Sequence, residues 1–189
     1  MKNKKVIIIV VSVLLVLGIL IGIVAGSYNG LVDQKENVDN KRAQIETNLQ
    51  RRADLIPNLV ETVKGYAQHE DKVFTELANA RAKMSGAKTT EELQNANNAL
   101  DSAISRLLVV VENYPDLKAD KEFTTLMDEL SGTENRISVA RKDYNDAVTN
   151  YNKSIKKFPK LIFAKMFGFE AEQYFEATDN AQNAPSVKF

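Results

Sequence analysis

The chain has no cysteine and no tryptophan, a single histidine, and only four prolines and eight glycines in 189 residues. Without cysteine there is no disulfide, no thiolate nucleophile and no cysteine-liganded metal site, and the absence is compatible with any compartment. With His69 alone, a multi-histidine metal site is excluded. No H-E-x-x-H pair, EF-hand-type acidic loop, glycine-rich phosphate loop or G-x-S-x-G elbow occurs. A net charge is missing as well: 25 Lys and Arg face 25 Asp and Glu. Three of the basic residues, Lys2, Lys4 and Lys5, precede the first apolar residues, so from Tyr28 onward 22 basic residues face 25 acidic ones, a net of −3. A mildly acidic body argues against nucleic acid as a partner, because phosphate neutralisation dominates that binding. Glu91-Glu92 and Glu170 with Glu172 read as solvated faces. His69 reads as a surface residue without an acid–base partner. No catalytic residue, metal or cofactor is expected, and the chain is not expected to be an enzyme.

What the sequence does have is one long hydrophobic run, VIIIVVSVLLVLGILIGIVA, residues 6–25, carrying no charge and one hydroxyl, Ser12. Twenty residues at 1.5 Å each span roughly 30 Å, the thickness of a bilayer's hydrocarbon. A buried soluble helix of this length normally keeps a polar face. A cleaved signal has a shorter apolar core, ending in a small-x-small site that Ile23-Val24-Ala25 does not provide. Residues 6–26 are therefore expected to be a retained transmembrane helix of a single-pass plasma-membrane protein. The dense Lys2/Lys4/Lys5 cluster places the N-terminus in the cytoplasm and the body outside it. Gly18, Gly22 and Gly26 recur every four residues, a face through which two membrane helices can approach closely and a homo-oligomer can form.

Beyond the run, apolar residues recur at helical spacing and no strand pattern occurs. A first segment, residues 28–52, carries Leu31, Val38, Ile45 and Leu49. Asp54 offers an N-cap for a second helix with Pro57 in its first turn, running to about Met84, where Ser85-Gly86 stops it. Thr89 and Glu92 form a capping box before a third helix, which Tyr114-Pro115 ends. A fourth runs from about Asp120 to Lys156, with Gly132 as an interruption and Ser131 to Glu134 as a kink. After Phe158-Pro159 comes a short amphipathic segment. Its basic, aromatic stretch Lys153 to Lys165 fits a packed cap at one end of the bundle, the favoured reading, or a face resting on anionic lipid. Four amphipathic helices with short loops pack most simply as an antiparallel four-helix bundle, with an extended coiled coil as the alternative. The expected organisation is a basic N-terminus at 1–5, the membrane helix at 6–26, an all-α bundle at 27–176 and a polar, disordered tail at 177–189.

Some charges fall where the core should be. At 100° per residue, Glu70 and Arg81 lie within about 40° of Ile56, Val63, Ala67 and Phe74. Glu134, Arg141, Asn145 and Asn152 form one line on the fourth helix, and Arg52 sits on the apolar side of the first. Two acids and three bases can pair mutually. A structural network of Arg52, Glu70, Arg81, Glu134, Arg141, Asn145 and Asn152 is therefore preferred over a ligand pocket.

The stretch RRADLIPNLVETVKGYAQHE, residues 51–70, resembles the signature of the LemA family, with Arg51, Arg52, Asp54, Pro57, Asn58, Tyr66, His69 and Glu70 as its marked positions. Tyr28 to Val32, Glu112 to Lys118, Glu134 to Ile137, Arg141, Tyr144-Asn145, Tyr151-Asn152 and Phe158-Pro159 match too. The resemblance implies an N-terminal anchor and an antiparallel four-helix bundle, without an established activity. Relatives concerned with magnetosome membranes suggest a membrane-organising role by analogy. Arg42 stands where the family often has an aromatic residue, which weakens the first helix's packing there. The expected partners are the lipid bilayer and proteins of unknown identity, with a ligand-binding sensor ectodomain as the alternative role.

Overall fold

The computed structural model describes residues 2–175; the tail expected at 177–189 lies outside the described residues. Six helices follow one another: α1 Lys2–Lys64, α2 Asp71–Gly86, α3 Thr90–Val111, α4 Pro115–Lys118, α5 Lys121–Lys156 and α6 Lys160–Phe167. Among the described residues there is no strand. The chain divides into two compact units, one built from residues 2–40 and 146–172, the other from 41–145 and 173–175 of the described chain. α1 and α5 each run unbroken through both.

α1 is the main departure from expectation. It continues through Asp54 and carries Pro57 inside it. Asp54 is not a cap; its carboxylate accepts from the Gln50 amide at 2.8 Å, one turn earlier. An internal proline loses one ladder hydrogen bond and costs about 3 kcal/mol. Around it, Ala53, Ile56, Leu59 and Val63 are all 0–1% exposed. Burying Ile56 and Leu59 alone returns about 3–6 kcal/mol, so the stripe carries the helix over the proline. The helix ends instead at Lys64, where the amides of Tyr66 and Ala67 both turn back to the Val63 carbonyl. Arg42, the position where weaker packing was expected, is half-buried. It pairs with Glu46 at 2.9 Å and donates to the Lys88 carbonyl in the loop before α3.

The N-terminal stretch of α1 is the one candidate among the described residues that is long and apolar enough to cross a membrane. Its large side chains from Ile9 to Ile23 are exposed. No protein atom lies within 4 Å of where a Cβ would stand on Gly18, Gly22 or Gly26.

The start of α3 follows the sequence reading. Thr89 Oγ1 accepts from the Glu92 amide at 3.1 Å, and Glu92 Oε2 accepts from the amides of Thr89 at 3.0 Å and Lys88 at 2.7 Å. Those two backbone donors hold the Glu92 carboxyl below the usual carboxylate range. A depressed carboxyl contributes stability that is complete above its unfolded value and disappears as pH falls through its folded one. Acidification below the normal glutamate range is therefore expected to lower the protection of the Lys88 and Thr89 amides relative to their intrinsic exchange rates at each pH. Glu92→Gln should flatten that pH dependence, and an unchanged profile would refute the cap's role.

Gly132 does not interrupt α5. The helix also runs on through Ser131 to Glu134, where a kink was expected; the buried Thr133 hydroxyl donates back to the Leu130 carbonyl at 2.8 Å. The buried stripe therefore runs on through Phe123, Leu126, Leu130, Ile137, Tyr144, Val148, Tyr151 and Ile155. Two small elements escaped the sequence reading. One is α4, opened by Pro115 and burying Leu117. The other is the non-helical segment 170–175 after α6, which ends at Gly168 in the left-handed region (φ 75°).

Candidate functional site

The polar core gathers on Arg52, which is 5% exposed on the buried side of α1. Its Nη2 lies 2.6 Å from Asp101 Oδ1 on α3, and its Nη1 lies 2.7 Å from Glu134 Oε2 on α5. The Glu134 contact is an ion pair rather than an aligned hydrogen bond. Nη1 also donates to Asn97 Oδ1 at 3.0 Å, and the Asn97 amide donates on to Asp101 at 2.9 Å. One guanidinium thus ties three helices. Asn97 is fully buried among Leu93, Ala96 and Leu100, and neither it nor Asp101 was anticipated. The signal was available, since Asn97 lies four residues from Leu93 and three from Leu100 on one helical face.

Arg141 stands beside this cluster on α5. Its guanidinium lies over the Phe175 ring at 4.9 Å, and its Nε and Nη2 make no hydrogen bond to protein. Burial pushes its pKa down, Glu134 and Asp101 oppose that, and the nearby Arg52 adds to it. Of the expected network, Arg52, Glu134 and Arg141 come together.

The others do different work. Arg81 is exposed on α2. Its predicted place came from a helical wheel carried across the break after Lys64. Glu70 precedes α2, half-buried, with the Tyr114 hydroxyl 3.3 Å from Oε1 rather than a cation. Asn145 and Asn152 hold backbone. Asn145 accepts the Phe175 amide and donates to the Phe175 carbonyl, both at 2.9 Å. Asn152 does the same to Glu172, again at 2.9 Å. Each side-chain amide satisfies both main-chain groups of one residue, which are otherwise costly to leave unpaired. Tyr144 adds a hydrogen bond from its hydroxyl to the Gln173 carbonyl at 2.9 Å.

The remaining signature positions divide between surface and turn. Arg51, Asn58 and His69 are exposed, and Pro57 is half-buried within α1. The Tyr66 hydroxyl donates to Asp120 Oδ2 at 3.0 Å, while Asp120 Oδ1 caps α5 by accepting the Phe123 amide at 2.9 Å. Those contacts, the backbone donor first, lower the Asp120 pKa and raise that of Tyr66. Within the signature, Tyr66 thus ties the turn after α1 to the start of α5, while Arg52 belongs to the polar core.

Among the described residues there is no group of three or more His, Asp or Glu placed to hold a metal. An open groove of about 680 Å³ is lined by residues including Glu46, Gln50, Arg51, Met84 and Leu93, and none of Arg52, Asp101, Glu134 or Arg141 lines it.

Several known proteins are similar to this chain in sequence. Magnetosome protein MamQ 2 of Paramagnetospirillum magneticum is 28% identical over 79% of this chain. Magnetosome protein MamQ of Magnetospirillum gryphiswaldense is 25% identical over 78% of it. The chain covers 64% of the length of each of these magnetosome proteins. Protein LemA of Metamycoplasma hominis is 25% identical over 88% of this chain and 76% of its own length. The LemA family pattern matches residues 41–189, taking in the arginine cluster, the turn at Tyr66 and the Asn145 and Asn152 clamps, and the chain therefore belongs to the LemA family.

Proposed function

We propose that the chain is a single-pass membrane protein whose body, an antiparallel four-helix bundle, is a non-enzymatic interaction or scaffolding module. The observation that carries this reading is α1. One unbroken 63-residue helix holds both the exposed apolar run and the fully buried positions Leu31, Val38, Ile45, Leu49, Ile56 and Leu59. An apolar stretch exposed on all sides needs lipid around it. A helix that then becomes one-sided needs protein. The bundle reading is supported by four segments with one buried stripe each: the second half of α1, α2, α3 and α5.

The lysine cluster supports a cytoplasmic N-terminus and an extracytoplasmic body. The open Gly18/Gly22/Gly26 face offers a surface for a second copy within the membrane. The relatives' names support a membrane-organising role by analogy. The alternative, an ectodomain that binds a ligand through its inward polar residues, is favoured by buried polar atoms without a hydrogen-bond partner, Nε and Nη2 of Arg141, Nε of Arg52 and Oε2 of Glu134. Mutual pairing of Arg52 with Asp101, Glu134 and Asn97 favours the scaffold. Crosslinking in intact membranes followed by mass spectrometry is expected to recover either self-contacts or one reproducible partner protein on the exposed body. Recovery of uncrosslinked chain alone at every reagent length would sink the scaffolding role.

A further inference from the structure

The segment after α5 is built unlike a packed cap. α6 buries Ala164 and half-buries Leu161 and Phe163. The opposite side of α6 is bare, with Ile162 54% and Met166 60% exposed at four-residue spacing, and Phe158, just before the helix, is 81% exposed. From Lys153 to Phe169 the chain has five lysines and no acidic residue. Lys156, Lys157 and Lys165 are exposed. An apolar face flanked by lysines matches a surface that is greasy at one depth and anionic at the next.

The depth of this face follows from α1. Tyr28 lies three residues past the end of the apolar run, about 4–5 Å further along the helix axis. Its ring packs edge-on against Phe167 at 5.0 Å and Phe169 at 5.8 Å. A Cβ placed on Gly30, two residues later, would lie 3.3 Å from Lys160 Nζ, so that ammonium is about 7 Å beyond the run. The polar headgroup layer occupies roughly the 5–8 Å outside the hydrocarbon on each face of a bilayer. If the run spans, these contacts put α6 at about the depth of the headgroups.

We propose that residues 156–167 form an interfacial foot on the bilayer beside α1. Phe158, Ile162 and Met166 enter the acyl boundary, and Lys156, Lys157, Lys160 and Lys165 bind the phosphates of anionic phospholipids. This inference rests on the membrane-spanning reading of α1, and the test separates the two. The chain has no native cysteine, so single spin labels can be placed by Leu15→Cys, Ile162→Cys, Met166→Cys and Val109→Cys in the full chain, reconstituted in nanodiscs with and without phosphatidylglycerol. Leu15 reports the anchor; Val109, 69% exposed on α3, reports water.

Labels at Ile162 and Met166 should be shielded from a water-soluble nickel chelate and reached by oxygen, more so with phosphatidylglycerol. If both are as water-accessible as Val109 while Leu15 is in hydrocarbon, the foot is wrong and the anchor stands. If Leu15 itself is in water, both fall. Each lysine near an anionic surface is worth about fivefold in affinity. Lys156→Glu, Lys157→Glu, Lys160→Glu and Lys165→Glu combined should therefore abolish the effect of phosphatidylglycerol. High salt should do the same to the unsubstituted sequence. Persistence of the lipid effect in both would overturn the lysines' role.

Discussion

Arg52→Ala is expected to destabilise the body by about 3–5 kcal/mol, the usual cost of breaking a buried ion pair by removing one partner. The substitution leaves Asp101 and Glu134 facing each other without the cation between them, and it strips the buried Asn97 carbonyl of its donor. Two features pull toward the lower end. The Asp101 and Glu134 side chains are 38% and 39% exposed, so water can replace part of the lost interaction. Arg141 also stands near both acids and compensates some of their repulsion. Arg52→Met separates charge from packing, since it refills most of the volume and leaves the acids unpaired. Arg52→Lys should fall between, because a single ammonium cannot satisfy three acceptors in the fork that a guanidinium presents. Denaturant titration of the full chain in detergent, followed by helical circular dichroism, measures all three. An Arg52→Ala midpoint equal to that of the unsubstituted protein would remove the cluster from any account of stability.

The parts of this arrangement that could be read from sequence are those with a local cause. The capping box at Thr89, the proline after Tyr114 and the stop before Pro159 each fix a helix end through neighbouring atoms. The bounds of α3 and α5 accordingly fall close to where the sequence puts them. Pro57 and Asp54 misled because they form a correct start signal that a longer-range effect overrides, the buried stripe running through Ala53, Ile56 and Leu59. The true end of α1 near Gly65 has no proline and no cap, only a turn stabilised by Tyr66 on a distant Asp120. Arg81 was misplaced as a consequence, since a wheel loses its phase at a break. Arg52, Glu134 and Arg141 were legible as charges on apolar faces. Asn97 shares the apolar face of Leu93 and Leu100 on α3, but it carries no charge to mark it there. Asn145 and Asn152 were expected in the same polar network, but what they grip is backbone of a segment without periodicity.

That grip sets up the second large effect. Tyr144 is 1% exposed, packs edge-on against Phe175 with ring centroids 6.3 Å apart, and donates its hydroxyl to the Gln173 carbonyl at 2.9 Å. Tyr144→Ala should cost about 3–5 kcal/mol, the range for truncating a buried aromatic to a methyl group. The cavity opens under the Phe175 ring, so the loss is not confined to Tyr144. Phe175 would lose its edge-on ring partner and keep Arg141 over its own ring and the Asn145 clamp on its backbone. Tyr144→Phe removes only the hydrogen bond and should cost about 1 kcal/mol. The ring and the hydroxyl therefore predict different behaviour at one reporter, the Phe175 amide that Asn145 Oδ1 accepts. In native-state hydrogen exchange of the full chain, that amide should open far more readily in Tyr144→Ala than in Tyr144→Phe. Equal protection in the two variants would mean that the asparagine alone holds the segment and that the buried ring contributes only to the core of its own helix.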